Sequence, residues 1–545
     1  MSFLQKILDT TRDAGARDLL IEIHGKEQRP TSAIGFLALV AKARSFLKSA
    51  GIKPGDRVAL LAPNRTKWVA CDLAILAEGA IVVPLYSRQD PRELAVMVKD
   101  CSPVLTIASD AALADALKGA WPEHTRVALW DEVFAAAPLD SSAPLHATEP
   151  DDPVTIIYTS GTSGEPKGVV LTRANVDYMV PRTVDALAEI KPSDRSLDRV
   201  FHFLPLCFAG SRIMLWTQLY RGNPLMLSTD LANLVQEMGT ADPNYYLNVP
   251  AVLERIRTGV TAKIKDRGGL AWTLYNRGQD AFRKVRTNTA GLGDRLALAL
   301  SRRIVFAKIK KQVGPSLEFL ICGSAALAEE TQWWFELLGV RVYQVYGLTE
   351  TTAIVTMDKP ARVIPGHVGH AILHCELKLS DEGELLVRGP NVFAGYWNRP
   401  EATTDAIRDG WFHTGDQCEL TADGNLKIIG RVKNILVPES GHNIAPEPIE
   451  QKFLDHCPSA AQCMLVGHAR PWLALLVPGD VNPVDIQAAI DQVNADVPHY
   501  RKIKTFVRVP EAFTIENGLL TANQKLRRKA VERHYAAEVD RVYAS

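Results

Sequence analysis

The stretch Tyr158-Thr159-Ser160-Gly161-Thr162-Ser163-Gly164-Glu165-Pro166-Lys167-Gly168 concentrates more chemistry than any other part of the chain. Four hydroxyl side chains (Thr159, Ser160, Thr162, Ser163) and two glycines (Gly161, Gly164) fall within six residues, and Lys167 follows. Glycine lets backbone N–H groups approach a ligand closely, hydroxyls add donors, and the lysine adds charge. That set suits a loop that holds a polyphosphate. A mobile surface loop has a similar composition. The β-branched run Val154-Thr155-Ile156-Ile157 just before it predicts a buried strand leading into the loop, which favours the phosphate reading. The P-loop fingerprint does not fit, because Lys167 does not directly follow a glycine and no Ser or Thr comes after it.

Further polar segments follow downstream: Gly323-Ser324-Ala325, Tyr346-Gly347-Leu348-Thr349-Glu350, Gly410-Trp411-Phe412-His413-Thr414-Gly415-Asp416, Gly430-Arg431 with Lys433, and Leu520-Thr521-Ala522-Asn523-Gln524-Lys525. In wording and order these segments, with the first loop, resemble the AMP-forming adenylating enzymes. That superfamily holds acyl-CoA synthetases, firefly-type luciferases and peptide-synthetase adenylation domains. The resemblance covers nearly the whole chain. Any one residue has a plainer explanation: Asp416 as a turn aspartate, Glu350 as an acid at a helix N-terminus, Arg431 as a surface charge.

The resemblance implies a two-step reaction. A carboxylate attacks the α-phosphorus of ATP and pyrophosphate leaves; a thiolate then attacks the carbonyl of the acyl adenylate. An anion approaching a polyanion needs cations, metal and fixed donors. By resemblance, Lys167 and the 159–164 loop bind the outgoing pyrophosphate, and Glu350 holds Mg²⁺ with Thr162 as a second contributor. Thr349 donates to the α-phosphate. Tyr346 and Gly347 lie at the adenine, with Gly323, Ser324 and Ala325 as the backbone loop on its other side. Asp416 accepts from the ribose hydroxyls, and Arg431 contacts ribose and phosphate. Lys525 bridges the carboxylate and the α-phosphate during adenylation. Lys433 is the hinge about which the small domain turns between steps, and the loop around Gly441 faces the thiol. The co-substrates implied are ATP, Mg²⁺ and coenzyme A.

The elements that must hold these residues are legible in outline. Short apolar runs (58–62, 81–85, 199–206, 245–249, 317–322, 340–345) alternate with helical patterns (68–77, 93–98, 212–220), which argues for parallel sheets covered by helices. Ligands then lie at the carboxyl ends of strands, where the loop after Tyr158 falls. From about Arg431 the pattern becomes short and mixed, with a hairpin over 463–477 and helices over 484–493 and 524–539. The expected fold is α/β: a large N-terminal domain of parallel-rich sheets covered by helices, residues 1–430, and a small mobile α+β domain, residues 431–545.

Composition narrows the function classes. With 47% hydrophobic and 23% charged residues over 545, the chain can bury more than one core. Formal net charge is zero, so whole-chain charge gives no argument for nucleic acid as a partner. The eight cysteines are scattered without a C-x-x-C pair, as in a reducing compartment. Cys457, Cys463, His456 and His468 cluster in sequence but match no zinc spacing. The first residues lack the apolar core of a signal peptide, and no apolar run reaches membrane-spanning length. The expected location is cytoplasmic, with peripheral contact at the inner membrane surface as an added option.

That option comes from residues 263–311, which hold 13 Lys/Arg against 3 acids, a balance of 13 − 3 = +10. Leu296, Leu300 and Ile304 recur every four residues, and Trp272, Tyr275 and Phe282 are interleaved. Such a stretch can lie on an anionic bilayer. Equally, its apolar face can pack on the main domain while the basic face is solvated.

For the acid, Gly314-Pro315-Ser316-Leu317-Glu318-Phe319-Leu320-Ile321-Cys322-Gly323 and the basic insertion before it resemble long-chain fatty acyl-CoA synthetases. One departure bears on the pocket. Where the family usually has a histidine near the acyl carboxylate, Phe208 stands, and Ser211 stands where an acid is common. Phenylalanine cannot hydrogen-bond, so the pocket is more apolar. The expectation is ATP-dependent activation of a medium- to long-chain fatty acid and thioester formation with coenzyme A. The alternatives are an acyl or aryl ligase that loads a carrier-protein phosphopantetheine, and a non-catalytic nucleotide- or lipid-binding relative.

Overall fold

The structure is a computed structural model that describes residues 2–124, 126–140, 143–160, 166–191, 197–325, 327–495, 497–520 and 525–544. The chain forms two compact units: Met1–Glu376 with Val387–Phe412, and Leu377–Leu386 with His413–Ser545.

Two large sheets build the first unit. The nine-stranded sheet contains, side by side and parallel, Arg341–Tyr346, Phe319–Cys322, Tyr245–Asn248, Val200–His202, Leu225–Ser228 and Asp18–His24. The seven-stranded sheet runs Gly395–Tyr396, Pro166–Thr172, Pro153–Ser160, Ile81–Leu85, Arg57–Leu61, Leu105–Ala108, Val127–Leu129. All five residues of Ile81–Leu85 are buried, so this strand reads as an unbroken apolar run instead of an alternating one. Helix Thr66–Ala77 crosses from Arg57–Leu61 to the parallel strand Ile81–Leu85 and is buried almost throughout. Local chemistry sets the helix starts. The Asp90 carboxylate accepts from the Arg92 N–H at 2.7 Å with Pro91 in the first turn, and Thr172 and Asn175 cap Arg173–Ile190 reciprocally.

The second unit centres on a three-stranded sheet, Met464–Val466 and Leu473–Pro478 antiparallel, then Ile503–Val509 parallel to Leu473–Pro478. Helices Pro446–His456 and Pro483–Ala495 pack over it through Phe453, Ile486 and Ile490. Arg528 is sunk beside Glu450, donating from Nη1 to Oε1 at 2.8 Å, while the Leu465 N–H donates to the same oxygen. The mixed α/β class with parallel-rich sheets in the larger unit and a smaller α+β unit is the one the sequence predicts.

Two elements depart from expectation. The strand expected over 199–206 spans only Val200–His202, because the chain turns away at Leu204-Pro205-Leu206. Asn64 holds that turn at both ends, donating to the Leu204 carbonyl at 2.8 Å and accepting from the Leu206 N–H at 3.0 Å. The helix expected over 524–539 is two helices, Arg528–His534 and Ala536–Tyr543, broken where Tyr535 leaves helical geometry (ψ 28°). Among the described residues, no helix is long and apolar enough to cross a membrane.

Candidate active site

The carboxyl ends of four neighbouring parallel strands in the nine-stranded sheet bring together the segments after His202, Asn248, Cys322 and Tyr346. Asn248 is level with Cys322, and Cys322 with Gln344, so these ends form one edge. After Cys322 the chain turns through Gly323, whose N–H donates to the Asn248 carbonyl at 3.1 Å. A Cβ on Gly323 would sit 2.7 Å from Val345 Cγ2 and 3.1 Å from its carbonyl oxygen, so only glycine fits there. Ser324 then takes φ +74°, the left-handed region, and Ala325 follows. Next door, Tyr346 ends its strand and Gly347 passes so close to Ala353 that a Cβ would lie 2.2 Å from that carbonyl oxygen. A short 3₁₀ turn, Thr349–Thr351, follows, with the Leu348 N–H donating to Thr351 Oγ1 at 2.9 Å. This turn presents Thr349 and Glu350 at the strand edge.

The hydroxyl-rich loop belongs to the other sheet. Pro153–Ser160 and Pro166–Thr172 pair as an antiparallel hairpin with Thr159 opposite Lys167 and Ser160 opposite Pro166. Gly161, Thr162, Ser163 and Gly164, four of the residues expected to grip phosphate, lie outside the described residues. Gly168 is pinched: a Cβ would meet Ile156 at 2.7 Å and Trp397 at 3.3 Å. That close approach lets Gly395–Tyr396 pair onto the hairpin, with Tyr396 level with Val169.

Tyr396 joins the two sheets' contributions. The Lys167 ammonium stands over its ring, 5.1 Å from the centroid. Its hydroxyl donates to Glu350 Oε1 at 3.0 Å. The Phe393 N–H also donates to the Glu350 carbonyl at 2.9 Å. Lys167 and Glu350, to which the family resemblance assigns phosphate and metal, therefore share one tyrosine. Sequence reasoning passed over Tyr396; the local run Phe393-Ala394-Gly395-Tyr396-Trp397 was its only signal, and the cross-sheet register that makes it matter is not local.

Glu350 fits a magnesium ion by donor type. Mg²⁺ prefers hard oxygens, keeps several waters and takes only one or two protein carboxylates together with phosphate oxygens. A single carboxylate at the strand edge, beside the Lys167 ammonium that shares Tyr396 with it, matches that donor set.

Phe208 ends the turn after His202 and starts helix Ala209–Arg221. Its ring lies 5.9 Å from that of Tyr86. At position 208 itself a phenyl ring stands where the family pattern suggested a hydrogen-bonding side chain, and the neighbouring polar group is the Tyr86 phenol. Behind it, Ser211 and Arg212 are buried. Arg212 donates to Asp72 and to Thr155, and Trp216 Nε1 donates to Asp72 Oδ2 at 2.9 Å. Burial pushes the Asp72 carboxyl up, with Arg212 and Trp216 opposing it. His202, buried at the strand end, has its pKa pushed down to about 4 by loss of hydration and is neutral at physiological pH. Two cavities of about 330 and 530 Å³, one lined in part by Phe3, Leu76 and His146 and the other by Arg199, Lys310 and Glu318, take in none of the expected site residues.

The second unit carries the other expected residues. Asp416 and Arg431 are cross-strand partners, and Arg431 Nε pairs with Asp416 Oδ1 at 2.8 Å. Arg431 Nη1 also donates to the Thr414 carbonyl at 3.1 Å. Glu384 fixes the approach by accepting from the Gly415 N–H at 2.8 Å, and Gly415 takes φ +70°. Lys433 is exposed in the short turn Val432–Asn434. Gly441 closes the 438–441 turn with φ +75° and open space around its Cα. Lys525 is exposed, next to the bridge between Leu520 and Leu526, while Thr521, Ala522, Asn523 and Gln524 lie outside the described residues.

The sequence profile of the family described as AMP-binding enzyme matches residues 21–397, and that of the AMP-binding enzyme C-terminal domain matches 433–545. The chain belongs to the AMP-binding enzyme family. A long-chain-fatty-acid–CoA ligase, FadD15 of Mycobacterium bovis, is 30% identical over 540 residues, covering 91% of this chain and 89% of that protein. The peroxisomal long chain acyl-CoA synthetase 7 of Arabidopsis thaliana is 28% identical over 561 residues, covering 91% and 79%. Among solved structures, the O-succinylbenzoate coenzyme A synthetase of Bacillus subtilis in complex with AMP superposes with a TM-score of 0.74 at 19% identity over 96% of this chain and 97% of that one, a likeness of fold. In this AMP-binding enzyme the first matched segment holds the strand edge with Gly323, Gly347 and Glu350, and the second holds Lys525.

Proposed function

We propose that this AMP-binding enzyme is a ligase that activates a medium- to long-chain fatty acid with ATP to the acyl adenylate and then forms the thioester with coenzyme A, releasing AMP and pyrophosphate. The observation that carries the proposal is the convergence of Lys167, Tyr396 and Glu350 beside the strand edge that holds Gly323, Tyr346 and Thr349. A cation, a carboxylate and two glycine-tight turns in one place suit a metal-bound nucleoside triphosphate better than any neutral ligand.

In this account the 159–164 loop and Lys167 hold the β- and γ-phosphates. Tyr346 and the 323–325 turn flank the adenine, and Thr349 donates to the α-phosphate. A bound Mg²⁺ on Glu350 supplies neutralisation of phosphate charge. Tyr396 sets the spacing of Lys167 and Glu350 by touching both. Asp416 accepts from the ribose hydroxyls once Arg431 turns toward phosphate. Lys525, on the C-terminal domain from Arg431 onward, offsets the repulsion between the carboxylate and the α-phosphate. Lys433 is the solvated hinge, and the turn at Gly441 meets the thiol.

The fatty-acid assignment is supported by the names of the curated relatives and by the apolar Phe208 ring beside that of Tyr86. The test is pyrophosphate release with coenzyme A across a panel of fatty, aryl and amino acids. A preference of at least tenfold in kcat/KM for acyl chains of eight or more carbons is expected, on the order of 0.8 kcal/mol per buried methylene. Preference for acetate, benzoate or an amino acid would defeat the substrate assignment. Turnover only with a phosphopantetheinylated carrier protein would defeat the acceptor.

A further inference from the structure

Residues 269–313 form a helical hairpin with two apolar faces, and only one of them is covered. Helix Gly269–Arg286 turns at 287–291 into Leu292–Ser301, which continues through a wide turn, Arg302–Phe306, into Ala307–Val313. The inner face of the second arm, Leu298, Val305, Phe306, Ile309 and Val313, is buried in the core of the first unit. Gly278 lets the arms close, since a Cβ there would lie 2.6 Å from Phe306 and 2.7 Å from Ser301. Tyr275 and Phe282, which the sequence interleaves with the basic residues, are buried in the same core.

The stripe of leucines lies on the opposite side. Leu292, Leu296, Leu300 and Ile304, four residues apart, are 84%, 73%, 50% and 40% exposed. The expectation that an apolar face here packs on the main domain holds for the other face, not for this one. A helix on a soluble protein needs one apolar stripe, and a second, contiguous one marks an interaction surface. The stripe is set among cations. Over 292–313 there are six basic residues (Arg295, Arg302, Arg303, Lys308, Lys310, Lys311) and one acid, Asp294, a balance of 6 − 1 = +5. Asp294 is already paired with Lys284 at 3.0 Å. Among the described residues, no ion pair involves Arg295, Arg303, Lys308 or Lys311.

We propose that this helix face docks in the plane of an anionic lipid bilayer, with Leu292, Leu296, Leu300 and Ile304 entering the acyl boundary and the flanking arginines and lysines meeting the headgroups. Charge complementarity selects the occupant. A second copy of the chain would set one +5 helix against another, and a neutral apolar partner would leave the cations unanswered. An anionic bilayer supplies both an apolar interior and opposite charge. The surface stands independently of which acid the enzyme activates.

Sedimentation of the full chain with vesicles tests this. Phosphatidylcholine vesicles containing 30% phosphatidylglycerol are expected to bind it at least tenfold more tightly than pure phosphatidylcholine, and 0.5 M NaCl to erase most of that difference. Changing the stripe together (L292S, L296S, L300S, I304S) removes only exposed apolar groups, so the fold and adenylate formation in detergent-free solution should persist while vesicle binding falls at least tenfold. A second variant, R295E with R303E and K311E, should lose the anionic preference while remaining folded. Wild-type protein that stays in the supernatant with anionic vesicles overturns the proposal. So does a serine variant that binds as well as wild type. A wild-type dimer that the serine variant converts to monomer in sedimentation velocity, without vesicle binding, gives the stripe to a second copy instead.

Discussion

Two aspartate–arginine pairs in this protein share a chemistry and differ in almost everything else. Asp72 and Arg212 of the first unit have side chains 0% and 1% exposed, held by Trp216 and Thr155, with the Arg212 guanidinium 4.5 Å from the Trp216 ring. Asp416 and Arg431 of the second unit are 7% and 36% exposed, and the arginine is held mainly by its partner and one carbonyl. Removing charge from water is costly. The first pair therefore survives because the two groups satisfy each other, with Trp216 and Thr155 taking up further valences, and neither is available to a ligand. The second keeps the arginine partly in water, so its guanidinium can turn to solvent or to an anion, while Asp416 stays buried. The burial of the arginine, more than the composition of the pair, separates a structural brace from a pair open to a ligand. The inner and outer faces of helix Leu292–Ser301 make the same point with leucines.

The contrast is open to attack at several points. The largest effect should come from Asp72→Ala, which strands a buried guanidinium and should cost about 3–5 kcal/mol of unfolding free energy by denaturant titration. Replacing the pair together, Asp72→Leu with Arg212→Met, should recover most of that loss; if the double variant is no better than the single one, the brace is misread. Arg431→Ala should cost less stability than Asp72→Ala, about 1–2 kcal/mol, yet lower kcat/KM for ATP about a hundredfold, roughly 2.7 kcal/mol. Equal damage to stability and activity would make that pair a brace too.

A smaller effect is expected at Asp358, buried beside Gln344, whose N–H donates to it at 2.8 Å. Burial pushes its pKa up to about 7. Stability owed to the protonated form is complete below the ordinary carboxylate range and drains away as pH rises through about 7. Between pH 5.5 and 8.5 the wild type should therefore lose about 1–2 kcal/mol relative to Asp358→Asn, at about 1.4 kcal/mol per pKa unit. A constant difference across that range would show that Asp358 is ionised throughout. The smallest effect should be that of Tyr396→Phe. It removes one hydrogen bond to Glu350, about 1 kcal/mol, and should raise the Mg²⁺ needed for half-maximal adenylation about fivefold while lowering Tm by no more than about 2–4 °C.

Much of the fold was legible because it is built from local signals. The unbroken apolar run at Ile81–Leu85, the helix before it and the strand Phe319–Cys322 all lie where periodicity predicts them. The strand beginning at Val200 was overextended because Phe203 and Leu206 are apolar, and nothing local reveals that Asn64, far earlier in the chain, folds that turn. The helix expected through Tyr535 shows the same limit, since its break comes from backbone geometry with no proline or glycine to announce it. The family resemblance supplied most of the site residues. Tyr396 was missed because its role depends on a strand register with Val169, and the outward leucines were misjudged because a four-residue spacing marks a face without saying which side is covered. The Asp72–Arg212 brace is invisible to sequence altogether: the two residues are 140 positions apart.

The central claim is that adenylation needs a mobile cation at position 525 to bring a carboxylate and ATP together. Exchange of labelled pyrophosphate into ATP, with a fatty acid and no coenzyme A, measures that step alone. Lys525→Ala is expected to lower the exchange rate by about 10²–10³ while ATP affinity changes less than about threefold and thioester formation from added acyl adenylate persists. Wild-type exchange in that variant would contradict the account.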